Sequence, residues 1–323
     1  MTILTRRAYQ GEADLQPIVD LLTLCETVDQ QDHFYSVTDL RTEFAEPDFD
    51  PVQNTCLWED PSGNLIGYAQ LWMPTHPVDS FDGFLWMRVH PAQRWQGIEL
   101  DILNWAETRL RQAADRDLPL KLFSGCDSDQ TERIHFYEQQ GFSYQRCFLT
   151  MECSLTEPIV EPTLPDGFQI IQTRGIEDTE KWVEMYNQTF IDHWNFHPHT
   201  VKEHSYWLST PRYRPELDLV AVAPDGSFAA FCHAHIDAEE NQQKQRQEGW
   251  ISSLGTRRGF RRLGLARAML LAGLQRLQAA GMTIAKLDVD IENPNSAQRL
   301  YESVGFRKQD TRLFYAKSVL RKV

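Results

Sequence analysis

Cysteine is sparse and unpaired in this sequence. Its six cysteines, Cys25, Cys56, Cys126, Cys147, Cys153 and Cys232, are scattered over 323 positions without a C-x-x-C spacing. That excludes a disulfide-stapled miniprotein and fits free thiols in a reducing cytosol. Positive charge is also short, with 32 Lys+Arg against 46 Asp+Glu and a net charge of −14. A nucleic-acid binder draws its affinity from Lys and Arg neutralising phosphates, so this balance argues against one. No stretch approaches the roughly 18 uninterrupted apolar residues of a membrane span. The start, Met1-Thr2-Ile3-Leu4-Thr5-Arg6-Arg7, lacks the apolar run of a signal peptide. The expectation is a cytoplasmic protein that engages neither nucleic acid nor membrane.

What is present is ordinary globular material, 41% hydrophobic and 24% charged. The length gives a prior of two domains at roughly 100–200 residues each. The sequence also repeats itself. Tyr137-Glu138-Gln139-Gln140-Gly141-Phe142 recurs 164 positions later as Tyr301-Glu302-Ser303-Val304-Gly305-Phe306. Arg94-Trp95-Gln96-Gly97-Ile98-Glu99 has a counterpart 167 positions later in Arg261-Arg262-Leu263-Gly264-Leu265-Ala266. Two motifs in the same order at nearly one offset imply a duplicated unit half the chain long. The boundary is expected in the proline-punctuated segment 157–167, giving domains 1–156 and 163–323.

Each half reads in the same order. In the first, residues 3–9 form a strand, 14–25 an amphipathic helix and 38–44 a shorter one. A hairpin, 55–59 and 65–73, turns at Asp60-Pro61-Ser62-Gly63-Asn64. Strand 84–89, helix 97–114, strand 120–123, helix 131–140 and strand 142–151 follow. In the second half the order is strand 168–173, helix 178–190, then hairpin 217–223 and 228–236 turning at Pro224-Asp225-Gly226. Strand 250–256, helix 263–280, strand 284–289, helix 296–303 and strand 306–316 complete it. The polar run 239–247 reads as a solvated loop. Mixed strands and helices around a hairpin point to an α/β domain with a mixed sheet.

Chemistry concentrates where strand 250–256 meets helix 263–280. The small residues Gly264 and Ala266 let a ligand approach the backbone closely. The first N–H groups of a helix have no partner within it and, with the helix dipole, favour an anion such as a pyrophosphate. Arg261, Arg262 and Arg267 add positive charge in an otherwise acidic chain. One strand later come Asn293, Asn295 and the run Leu300-Tyr301-Glu302-Ser303-Val304-Gly305-Phe306.

Strand, anion-binding helix, strand, Asn-containing turn and L-Y-E-x-x-G-F together resemble the GCN5-related N-acetyltransferase (GNAT) superfamily. The resemblance covers nearly the whole chain as a tandem pair of the mycothiol-synthase type. It implies two GNAT-like domains, each a mixed, centrally splayed sheet flanked by helices, with acetyl-CoA as co-substrate. It implies pantetheine pairing along Leu254, Gly255 and Thr256, and a pyrophosphate on the loop and helix start from Arg261 and Arg262 through Leu263, Gly264, Leu265, Ala266 and Arg267. Asn293 or Asn295 would hold the pantetheine or the turn. Tyr301 would protonate the departing thiolate. Glu248 fills the position of general base, with His233, His235, Asp192, His193 and His197 as alternatives.

The first half departs from this pattern. Glu99 stands where the family has Gly or Ala, and a carboxylate opposes a pyrophosphate. The acidic turn 127–132 lacks the Asn. This half is read as a degenerate copy. The histidines give no complete tetrahedral ligand set, so no metal is expected. The expected activity is transfer of an acyl group, by resemblance acetyl, from its CoA thioester to a primary amine by direct attack, in the C-terminal half. The acceptor is a small-molecule or peptide amine and the protein a monomer or homodimer. The alternative is a non-catalytic acyl-CoA sensor.

Overall fold

The computed structural model describes residues 5–114, 117–293 and 297–321. The chain forms two compact units. One is Met1–Gln145 together with Leu313–Val323, and the other is Arg146–Arg312. These bounds differ from the division expected at 157–162. Each unit ends on a strand supplied by the other end of the repeat: residues 146–154 belong to the second unit and 313–323 to the first.

In the first unit, β1 (Thr5–Ala8) precedes the helices α1 (Leu15–Asp29), α2 (Val37–Phe44) and α3 (Pro51–Asn54). β2 (Thr55–Glu59), β3 (Leu65–Trp72) and β4 (Phe81–Val89) follow. α4 (Ile98–Ala113), β5 (Leu120–Asp127) and α5 (Thr131–Gln139) come next. The sheet runs β1-β2-β3-β4-β5, with residues 313–319 beside β5. All the neighbours from β1 to β4 are antiparallel, and β4–β5 is parallel. The β2–β3 turn is set by Asp60, whose Oδ1 accepts the N–H groups of Ser62 (2.8 Å) and Asn64 (2.9 Å). One face packs α1 and α2 through Ile18, Leu22 and Leu40. The other packs α4 through Ile102, Ala106 and Leu110, together with Tyr315 and Val319 from the end of the chain. Each buried leucine of this kind contributes about 1.5–3 kcal/mol.

In the second unit, β6 (Ser143–Ser154, from Arg146 onward), β7 (Gln169–Gln172), α6 (Thr179–Phe190) and α7 (Val201–Leu208) lead into the hairpin β8 (Asp218–Val222) and β9 (Phe228–His235). Then come α8 (Ala238–Lys244), β10 (Glu248–Thr256), α9 (Leu265–Ala279), β11 (Ile284–Asp290), α10 (Ala297–Ser303) and β12 (Arg307–Val319). β12 leaves this unit after Arg312. The sheet order is β6-β11-β10-β9-β8-β7. β6 lies antiparallel to β11 from Ile284↔Ser154 to Asp290↔Phe148. The β8–β9 turn repeats the first unit's device, with Asp225 Oδ1 accepting the Ser227 N–H at 3.0 Å. α9 lies close on the sheet because glycines face it. A Cβ on Gly249 would stand 2.6 Å from Leu277, and one on Gly273 would stand 2.5 Å from Cys232 Sγ.

Three helices differ from the sequence reading, the first being the short α3, which was not expected. The run 239–247, expected as a loop, contains α8, because Asp237 caps it by accepting the Glu240 N–H at 2.9 Å. α7 was not expected, although Thr200 and Glu203 form a complete capping box at its start.

Candidate active site

The second unit's site begins where two parallel strands part. β10 and β11 pair only from Glu248↔Ile284 to Trp250↔Lys286. Immediately beyond, β10 bulges between Ile251 and Ser253 against β9. The extra residue bends the strand and adds twist, and the run 251–256 leaves β11. Its backbone groups on that side are free to pair with a ligand rather than a strand. The bulge also turns Ser252 toward His235, whose Nδ1 lies 2.6 Å from Ser252 Oγ.

β10 leads into the loop before α9, where Arg262 and Gly264 both take positive φ (68° and 83°). The left-handed turn at Gly264 lets α9 start abruptly. No side chain caps its first turn, and none there is acidic. Its leading N–H groups and positive dipole end are therefore open to an anion. Arg261 braces the loop: its Nε donates to Thr256 O (3.3 Å) and its Nη2 to Thr189 O (3.0 Å). Asp192 pairs with both Arg258 and Arg261. Those pairs hold its carboxyl below the usual range and brace the loop.

These features converge on one cleft of about 310 Å³. Leu254, Gly255 and Thr256 line it, with Arg261, Arg262, Gly264, Leu265, Ala266 and Arg267 at the loop and Asn293 and Tyr301 opposite. Two of the expected residues lie elsewhere. Leu263 is 47% exposed and faces a neighbouring groove with Val160 and Pro165. Glu248 stands before the strands part, with its carboxylate 2.6 Å from Lys286 Nζ. Asn295 lies outside the described residues. Arg267 donates to Ser303 Oγ at 2.8 Å, which ties α9 to α10.

The sequence reading did not assign Thr189 and Phe190, at the end of α6, or Phe260, Ala297 and Leu300. Thr189 carries no motif; it reaches the cleft because Gly255 leaves room, a Cβ there lying 2.4 Å from Thr189 Cγ2. Of the histidine alternatives, His193 lines the cleft, and its Nε2 lies 3.1 Å from Asn293 Nδ2. Burial lowers its pKa, so its ring is neutral near pH 7. His233 and His235 are pushed down to about 3 and about 4 by burial.

Tyr301 is 8% exposed, and burial raises its pKa, so it keeps its proton at neutral pH. On the face shared with Trp250 and Lys286, Asp288 follows Lys286 along β11, just past the parting. Its tip is open to solvent, yet surrounding atoms crowd it and raise its carboxyl above the usual carboxylate range. Thr150 Oγ1 donates to Asp288 Oδ1 at 2.6 Å. Nothing in the local sequence singled Asp288 out. A cleft with an open anion cradle, an unpaired strand edge and a protonated phenol fits an acyl-CoA thioester.

The first unit is built alike, but its strands stay together longer. β4 and β5 pair over five positions, to Leu85↔Ser124, against three for β10 and β11, and β4 meets β3 without a bulge. Ser124 Oγ donates to Leu85 O at 2.9 Å and lies 2.8 Å from the hydroxyl of Tyr137, the counterpart of Tyr301. Tyr137 is fully buried. Among the described residues of both units, no helix is long and apolar enough to cross a membrane.

Comparison with known proteins agrees with this geometry. The description "Acetyltransferase (GNAT) family" matches residues 15–142 and again 179–306. A mycothiol acetyltransferase of Streptomyces bingchenggensis is 30% identical over 268 residues, 82% of this chain and 81% of that protein. One from Streptomyces coelicolor is 27% identical over 316 residues, 96% of this chain and 95% of that protein. Among solved structures, a GCN5-related N-acetyltransferase from Sphaerobacter thermophilus superposes with a TM-score of 0.78 at 23% identity, over 99% of this chain and 97% of that one. A tandem GNAT protein from the clavulanic acid biosynthesis pathway gives 0.72 at 12% identity, over 99% and 100%. The chain belongs to the acetyltransferase (GNAT) family: it is a tandem-GNAT N-acetyltransferase with acetyl-CoA as its co-substrate.

Proposed function

We propose that acetyl transfer takes place in the second unit, onto the primary amine of a small molecule. The observation that carries this reading is the contrast in the strand pairs. β10 and β11 part after Trp250↔Lys286 at a bulge, whereas β4 and β5 stay paired as far as Leu85↔Ser124. The relatives named mycothiol acetyltransferases support a small-molecule acceptor. The six cysteines are free and buried, which supports a reducing cytoplasm.

In this reading the N–H groups at the start of α9 hold the pyrophosphate, and the free edge of residues 251–256 pairs with the pantetheine arm. A strand N–H near Leu254 polarises the thioester carbonyl and stabilises negative charge on its oxygen. The base takes a proton from the acceptor ammonium, directly or through water. The free amine attacks, a C–N bond forms and the C–S bond breaks. Tyr301 donates its proton to the departing thiolate and is reprotonated by the proton that the attacking nitrogen sheds, directly or through water, while the base returns its own proton to solvent. We assign the base to Asp288 in preference to Glu248. Lys286 already holds Glu248, whereas Asp288 lies past the parting with a carboxyl that crowding raises above the usual carboxylate range.

The test is release of CoA thiol from acetyl-CoA by the full chain across a panel of primary amines, with Tyr301→Phe and Ala266→Glu as controls. Amine-dependent release that Ala266→Glu abolishes supports the reading. Full activity in a folded Ala266→Glu chain overturns its placement in the second unit.

A further inference from the structure

The first unit contains a second copy of the anion loop, and its occupant is part of the chain. Trp95 and Gly97 take positive φ (61° and 102°), as Arg262 and Gly264 do (68° and 83°). Arg94 Nε donates to Val89 O at 3.1 Å, as Arg261 Nε donates to Thr256 O at 3.3 Å. Asp29 holds Arg94 as Asp192 holds Arg261. A loop of this shape aims its N–H groups and the positive end of a long helix at one point. In the second unit Ala266 stands beside that point.

In the first unit the equivalent residue is Glu99, which is 4% exposed. Its Oε1 accepts the Trp95 N–H at 3.0 Å. Its Oε2 is buried without any hydrogen-bond partner. A carboxylate oxygen so placed is costly unless an electric field compensates it, and the start of α4 supplies one. The arrangement is that of a bound anion whose tether is its own side chain.

We propose that the first unit retains a phosphate-binding cradle that Glu99 occupies as a built-in anion, and that removing its carboxylate exposes a site for inorganic pyrophosphate or a phosphate ester. The strand gap beside it is closed by Ser124 and Tyr137, so the site takes phosphate groups and not the pantetheine arm of CoA. Glu99 then does two jobs: it keeps the loop in its anion-bound shape, and it denies the loop to nucleotides.

The proposal rests on the shared loop geometry and, for its control, on the second unit's cradle in the proposed function. Ala266→Glu gives the second loop the residue of the first. In that background, titration calorimetry with inorganic pyrophosphate should find no site while Glu99 is present and one equivalent after Glu99→Ala. A folded double variant that takes no pyrophosphate overturns this proposal. If Ala266→Glu still binds CoA, the second-unit assignment fails instead, and Glu99→Ala alone should then show one equivalent of pyrophosphate beyond the parent chain. Should Glu99→Ala not fold, Glu99→Gln carries the test. Loss of charge alone should speed hydrogen exchange at the Trp95 N–H and lower the melting temperature. A Glu99→Gln chain as stable and as protected as the parent shows a space-filling side chain and overturns the proposal.

Discussion

Lys286 Nζ lies 2.6 Å from Glu248 Oε2, and the two side chains are only 12% and 11% exposed. Arg246 adds a second cation at 3.8 Å. A carboxylate clasped by two cations is occupied as their partner and is held before the point where the strands part. The expected outcome is a split between two conservative variants. Glu248→Gln should leave kcat within a few-fold and cost about 1–3 kcal/mol of stability, because Lys286 loses its partner. Asp288→Asn should lower kcat by about 10²–10⁴-fold, the range for general acid–base catalysis. In the parent chain activity should rise with pH as Asp288 ionises, above the ordinary carboxylate range, and Asp288→Asn should lose that limb. A pH–rate profile with saturating acetyl-CoA measures both.

Tyr301→Phe should lower turnover and leave the affinity for CoA nearly unchanged. The hydroxyl acts on charge that develops at sulfur only as the thioester breaks, so its loss belongs to the transition state. Solvent can replace the donor in an open cleft, which places the effect near the low end, about 10²-fold. A changed Michaelis constant with unchanged turnover contradicts the role.

Titration with CoA should find one strong site per chain. The second unit has an uncapped helix start and a parted strand pair, whereas in the first Glu99 fills the cradle. Two sites of similar affinity contradict this outcome.

Stability should fall on mild acidification. His204 and His233 are buried against Trp182 and Trp207, with ring centroids 4.0 Å apart for the first pair and 4.3 Å for the second. Burial depresses both to about 3. A histidine with a lowered pKa contributes stability that is present above its unfolded value, near 6.5, and is lost as pH falls toward its folded value. Each should cost up to about 1.4 kcal/mol per pH unit below that point. Asp218 beside them runs the other way. Burial raises it to about 6, so its stability is full below its unfolded pKa and lost as pH rises through about 6. Urea midpoints between pH 4 and 8 should show a flatter acid side in His233→Phe and a steeper rise between pH 4 and 6 in Asp218→Asn, which removes the opposing slope.

A fragment Thr163–Val323 should fail to fold or to act. It omits residues 146–154, which pair with β11 from Ile284↔Ser154 to Asp290↔Phe148. Without them the inner edge of the cleft strand is bare. Circular dichroism and the transfer assay on that fragment decide this. A monomeric, folded and active fragment contradicts it.

Much of this was legible in the sequence, and the reasons are local. The turns at Asp60 and Asp225, the two arginine–glycine loops and the paired tyrosines each carry their own residue signature, so the repeat and the cradle could be read directly. Glu99 against Ala266 already marked the two loops as different. What stayed hidden depends on neighbours far along the chain. The bulge at Ile251–Ser253 leaves no trace in a run of Trp, Ile and Ser. Asp288 gains its character from the atoms that crowd it, against the opposing hydrogen bond from Thr150, and from the parting of two strands. Glu248 gains a partner that its own neighbourhood does not announce, because Lys286, 38 positions on, reaches it. That residues 146–154 group with the second unit and 313–323 with the first was hidden for the same reason: an alternating strand looks the same whichever sheet it joins.

The placement of residues 313–319 also governs the order in which this protein can become complete. Tyr315 and Val319 are part of the first unit's core, yet they follow the entire second unit in the chain. A nascent first unit has most of its helices and strands but lacks that closing strand until about 170 further residues have been made. Contacts of such long sequence separation form late and slow the search for the native state. The first unit is therefore expected to wait, partly assembled with an open strand edge, and to lock only when the second has been synthesised.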